Sequence, residues 1–85
     1  MREFTYILTD ENGIHARPAG ALVREADKFS SDITLSKGEK SANAKRIFSV
    51  MGLAAKKGDE LTVTVSGVDE DNAVQCIEKF LSDNL

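Results

Sequence analysis

Residues 12–20 read NGIHARPAG and hold the only histidine, His15, and the only proline, Pro18, of the 85-residue chain. Arg17 stands between them. A neutral imidazole is a competent nucleophile toward phosphorus. A guanidinium suits phosphate oxygens, which it can hold in bidentate fashion. A helix start just behind the imidazole adds unpaired backbone N–H groups and a partial positive charge, and so a ready anion site. Pro18 suits the first turn of such a helix, where a missing N–H costs little. Gly13 and Gly20 permit tight turning and close approach of another surface. Reversible phosphorylation of His15 is the chemistry these residues suggest. On local physics alone, a surface histidine that happens to precede a helix remains open as the alternative.

Other chemistries find less support. Metal binding wants several ligands, and the chain offers no second histidine and one distant thiol, Cys76. Residue types do not exclude a Ser–His–Asp site, but no serine lies in a nucleophile-elbow context. Cys76 reads as a core residue on a helix face rather than a redox centre.

The elements that must position His15 follow from periodicity. Residues 3–9 alternate, with Phe4, Tyr6 and Leu8 on one face and Thr5, Ile7 and Thr9 on the other, which argues a strand. From Ala16 to Lys28 the period becomes helical, with Ala19, Leu22, Val23 and Ala26 on one face. Residues 33–36 alternate again, Gly38 turns the chain, and residues 41–44 return as a short strand. The stretch KRIFSVMGLA is helical but crowded, since one stripe cannot bury Ile47, Phe48, Val50, Met51, Leu53 and Ala54 together. Residues 61–66 form a strand with Leu61, Val63 and Val65 inward. Asp69 then caps a last helix, stapled by Val68 and Ala73, with Ala73, Cys76, Ile77, Phe80 and Leu81 on its inner face. The order is β-α-β-β-α-β-α. Strands with one apolar and one Thr/Ser-rich face predict an α+β sheet covered by helices on one side only.

Length allows one domain spanning 1–85, with a small core. A chain with 41% hydrophobic and 29% charged residues is of the soluble globular type. No apolar run approaches the ~20 residues that span a bilayer, and the N-terminus lacks a secretory apolar region. A single cysteine fits a reducing cytoplasm. Residues 1–57 carry ten Lys/Arg against seven Asp/Glu, and residues 58–85 carry one against seven. The half with His15 is thus positive, which favours an anionic ligand or an acidic partner surface. The acidic total and the lack of a basic run interleaved with aromatics argue against nucleic acid.

NGIHARPAG resembles the active-site segment of the histidine-containing phosphocarrier (HPr) family of the bacterial sugar phosphotransferase system. KRIFSVMGLAAKKGDEL resembles that family's second signature, and the similarity covers essentially the whole chain. The resemblance implies an open-faced β-sandwich, a four-stranded antiparallel sheet with three helices on one face. It implies that His15 accepts phosphate on Nδ1 from Enzyme I, charged by phosphoenolpyruvate, and gives it to sugar-specific IIA domains. The chain would be a cytoplasmic, monomeric carrier rather than an enzyme, with neither cofactor nor metal nor membrane insertion. Arg17 matches the phosphate-pairing arginine, and Ala16 and Arg17 would supply backbone donors, with His15 capping a helix that starts at Ala16. Partner docking is implied for Ala16, Gly20, Ile47, Phe48 and Met51, rimmed by Arg24, Lys45 and Arg46, with Val50 and Leu53 in the core. One departure stands out: many Gram-positive relatives carry a regulatory serine where this chain has Arg46, which puts kinase control in doubt. A regulatory protein-binding module of the same fold, in carbon or nitrogen control, remains the alternative.

Overall fold

A computed structural model describes residues 1–85. Its elements are β1 (Arg2–Ile7), α1 (Ala16–Ala26), β2 (Asp32–Lys37), β3 (Lys40–Asn43), α2 (Ile47–Gly52), β4 (Glu60–Ser66) and α3 (Glu70–Asn84). The strands form one antiparallel sheet in the order β1-β4-β2-β3. Because β4 lies antiparallel to both β1 and β2, those two run the same way, and α1 crosses between them.

The register explains the two unlike faces. Phe4 pairs with Val63, which pairs with Leu35, which pairs with Ala42. This row is apolar, and Val63, Leu35 and Ala42 are buried. The neighbouring row runs Thr5, Thr62, Ser36 and Ser41. It is polar, so it needs no cover and faces solvent. The helices close the other side. Leu22 and Ala26 of α1, Val50 of α2, and Ala73, Ile77 and Leu81 of α3 are all buried against the sheet.

Several boundaries differ from the sequence reading. The first strand stops at Ile7, and Leu8 is buried in a loop where its N–H donates to Asp59 O and its carbonyl accepts from Gly58 N–H. Helix α1 ends at Ala26, and residues 27–29 continue only as turn bonds. Val23 is half-buried, and Cys76 and Phe80 lie at the edge of the core rather than within it. Burial pushes the Cys76 thiol up, and its bond to Glu25 Oε2 at 3.3 Å adds to this, so the thiol stays protonated and unreactive.

The hydrophobic staple at the start of α3 does not form, since Val68 is 98% exposed. Asp69 holds the N-cap position, yet its carboxylate makes no bond to its own helix. It accepts instead from Ser30 N–H (2.9 Å), Ser31 N–H (3.0 Å) and the Ser31 hydroxyl. Local capping loses to a tertiary clamp that ties the α1–β2 loop to α3. Gly67 is required there, because a Cβ on it would lie 2.5 Å from Ser31 Oγ and 2.6 Å from Ser31 Cα.

This clamp predicts a pH effect. The Ser31 hydroxyl bond, then the Ser30 N–H bond, hold the Asp69 carboxyl below the usual carboxylate range. A carboxyl lowered in the folded state stabilises the fold above its unfolded pKa of ~3.9, and the stabilisation is lost as pH falls through the folded value. Thermal melts followed by circular dichroism should show Tm falling below about pH 4. Asp69→Asn should melt lower at neutral pH and lose part of that acid-side slope. An unchanged slope in this variant would show that other carboxylates carry it.

Candidate functional site

His15 sits in extended backbone (φ −119°, ψ −176°) directly ahead of α1. Its carbonyl accepts from Ala19 N–H at 2.9 Å, the first bond of the helix. Ala16 and Arg17 therefore occupy the first two helical positions, where N–H groups have no intrahelical acceptor. Pro18 occupies the third and has no N–H to leave unpaired. Arg17 is helical although a proline follows it, a position that usually resists the α region. The His15 ring forms no capping bond, so both its nitrogens are free of the backbone.

The loop before His15 is bolted down on three sides. Asp10 N–H donates to Leu85 O at 2.8 Å, and Gly13 N–H donates to Asp10 O at 3.1 Å. Ile14, buried beside the exposed histidine, donates its N–H to Ala55 O at 3.0 Å. Gly13 takes φ +63° there, a conformation glycine adopts without a Cβ penalty. Thus the histidine stands on a fixed pedestal while 45% of its side chain stays accessible.

His15 lines an open depression of about 460 Å³ with Arg17, Pro18, Ala21, Arg24 and Asn84. Neither arginine has a carboxylate partner within ion-pairing distance. Two unpaired cations, a helix N-terminus and an accessible imidazole meet in one place. Such a surface attracts a dianion, and its one nucleophile is the ring. The acidic side chain nearest the ring is Asp10, with Oδ2 4.0 Å from His15 Nε2.

Residues 2–83 match the family model described as PTS HPr component phosphorylation site. The chain belongs to the HPr family. It is 47% identical over 83 residues to the phosphocarrier protein HPr of Mycoplasma capricolum, which covers 98% of this chain and 93% of that one. A solved Mycoplasma histidine-containing phosphocarrier protein superposes with a TM-score of 0.93 at 46% identity, over 96% of this chain and 93% of that one. HPr-C-His of Thermoanaerobacter tengcongensis superposes with a TM-score of 0.92 at 35% identity, over 98% and 93%.

The HPr-type residues beyond His15 and Arg17 fall into different settings. Gly20 faces α2: a Cβ there would touch Ile47 Cδ1 at 3.5 Å and Arg24 Nη1 at 3.8 Å. Ala16 is exposed beside His15. Ile47 and Met51 are half-buried against the core, whereas Phe48 is 83% exposed. Val50 and Leu53 are fully buried. The crowded apolar helix thus divides its residues between core and surface. Arg46 precedes α2, exposed and without an acidic partner. Lys45 has no acidic partner either, but its side chain is tethered. Its ammonium donates to Phe29 O at 2.7 Å and ties the segment ahead of α2 to the turn that follows α1.

Sequence reasoning missed Asp10, Ala21 and Asn84. Asp10 lies five residues before His15, and only the intervening turn brings its carboxylate back to the ring. Asn84 arrives from the far end of the chain with no local signal.

Proposed function

We propose that this chain is a single-domain, monomeric phosphoryl carrier of the cytoplasm. It takes phosphate from phosphorylated Enzyme I onto His15 Nδ1 and passes it to a histidine of sugar-specific IIA domains. The observation that carries this reading is the convergence of two unpaired N–H groups and the unpaired Arg17 at an accessible imidazole. Membership of the HPr family supports it.

In the uptake step the His15 Nδ1 lone pair attacks phosphorus. The new N–P bond forms as the donor's N–P bond breaks, and that electron pair returns to the donor ring. The donation step is the reverse on a different partner. Such transfers depend on positioning and on charge stabilisation of the equatorial oxygens, which Ala16 N–H, Arg17 N–H and the Arg17 guanidinium would provide. Residues 47, 48 and 51, with Ala16 and Gly20, form the partly apolar patch on which a partner would settle, steered by Arg17, Arg24 and Arg46 toward acidic surfaces.

The test is mass spectrometry after incubation with phosphoenolpyruvate and Enzyme I. One acid-labile phosphate, mapped to His15, is expected. A phosphate on any other residue, or none, overturns the reading.

Two smaller effects follow. Arg17→Ala should slow transfer about 10–100-fold, the loss of a charge-stabilising donor at an open site, with Tm nearly unchanged because an exposed, unpaired charge adds little to the fold. Stopped single-turnover transfer and a thermal melt measure the two. Phe48→Ala should weaken Enzyme I binding by about tenfold, as truncating an exposed aromatic anchor does. Calorimetric titration checks it, and an unchanged affinity would remove Phe48 from the docking surface.

A further inference from the structure

The carboxylate of Asp10 is held as firmly as the histidine it faces. Its Oδ2 accepts Asn12 N–H at 3.1 Å, its backbone N–H donates to Leu85 O, and its carbonyl accepts from Gly13 N–H. That same Oδ2 lies 4.0 Å from His15 Nε2, on the ring edge opposite Nδ1. Arg17 and Arg24, both cations, are the charged residues that line the depression with His15; Asp10 approaches the ring from outside that lining.

We infer that Asp10 is a positioning residue for phosphoryl transfer: it holds the His15 proton on Nε2 and so leaves the lone pair on Nδ1. This rests on His15 being the phosphorylated residue. A carboxylate accepts but does not donate, so the only ring edge it can face favourably is an N–H edge. Which nitrogen of a histidine reacts is set by the interaction the other one makes. In the free protein the pair therefore keeps Nδ1 unprotonated and ready to attack.

The consequence continues after uptake. Once the N–P bond forms on Nδ1 while Nε2 keeps its proton, the ring carries a positive charge. Asp10 stabilises that charge. In donation the N–P bond breaks, its electron pair returns to Nδ1, and the ring leaves as neutral imidazole still protonated on Nε2. Without that proton the leaving group would be an imidazolate, a much poorer one.

The experiment compares wild type, Asp10→Asn and Asp10→Glu. Asn keeps an oxygen for Asn12 N–H but removes the charge. In ¹⁵N–¹H correlation spectra of the neutral His15 ring, the ratio of Nε2–H to Nδ1–H tautomers should fall about twofold in Asp10→Asn, less than the ~5-fold that two unit charges ~4 Å apart would give in water because a neutral ring presents only partial charges to the carboxylate. Asp10→Glu should restore most of it. Phosphoryl uptake from phosphorylated Enzyme I, the step in which the ring gains its positive charge, should slow in Asp10→Asn alone by up to about fivefold, the factor for two unit charges ~4 Å apart in water. An unchanged tautomer ratio overturns the inference, even if His15 is phosphorylated normally. A wild type that takes up no phosphate overturns the proposed function instead, and leaves the tautomer result standing. Should the amide variant lose its fold, Asp10→Ser, which retains an acceptor for Asn12 N–H, repeats the measurement.

Discussion

Replacing His15 by alanine is expected to abolish phosphoryl uptake, while Tm stays within about 2 °C of wild type. Both halves follow from the same geometry. The chain has one imidazole, and the depression around it offers no second nucleophile: its other walls are Arg17, Pro18, Ala21, Arg24 and Asn84. Guanidinium, amide and aliphatic groups do not attack phosphorus at neutral pH. The loss should therefore be complete rather than graded, in contrast to the graded loss at Arg17. The fold should survive because the ring holds nothing in place. It makes no capping bond, and its one acidic neighbour, Asp10, already has Asn12 N–H as a partner. The His15 carbonyl still accepts from Ala19 N–H, since that bond belongs to the backbone. Phosphate incorporation from Enzyme I and a circular-dichroism melt measure the two quantities. Residual incorporation above background would mean a second acceptor. A large drop in Tm would mean that the ring packs more tightly than its exposure indicates.

What the sequence disclosed, and what it hid, divides along a physical line. Periodicity reports burial, so the strands with Val63 and Leu35 and the helix with Leu22 and Ala26 were legible from local pattern. That a helix starts near Pro18 was legible too, because proline is tolerated at so few helical positions. Its first residue, Ala16, came from the family resemblance, since the residue before a proline resists the α region. Interactions between distant segments leave no local pattern. Asp69 looks like a cap for α3, yet it bonds residues 30 and 31. Lys45 looks like a solvated cation and instead satisfies the Phe29 carbonyl. The residues that line the site with His15 show the same limit. Arg17 is two positions away and could be read, whereas Asn84 closes the depression from the last helix. The division of the apolar α2 residues between core and surface needed either coordinates or a family resemblance, since composition treats Phe48 and Val50 alike.

A second large effect is expected at Gly13. Its φ of +63° places it where a side chain is strained, and a Cβ would also press on Ala55 O and come within 2.8 Å of Lys56 Cα. Both obstacles are backbone, which cannot swing aside as a flexible side chain can. Gly38 supplies the comparison. It has nearly the same φ, +60°, but a Cβ there meets nothing within 4 Å. Gly38→Ala should therefore cost only the conformational strain, about 1 kcal/mol. Gly13→Ala should add an overpacking cost to that strain and reach about 3–5 kcal/mol, a large part of the stability of a domain this size. The damage should extend to function. The loop relieves the clash by moving away from residues 55 and 56, and His15 follows two positions later. A shift of about 1 Å in a reacting group is enough to cost ~100-fold in rate. Urea melts of both variants separate clash from strain, and single-turnover transfer at a temperature where Gly13→Ala remains folded reads the displacement. Equal stability losses at positions 13 and 38 would show that residues 55 and 56 yield without cost. The loop that carries the histidine would then be softer than its hydrogen bonds imply.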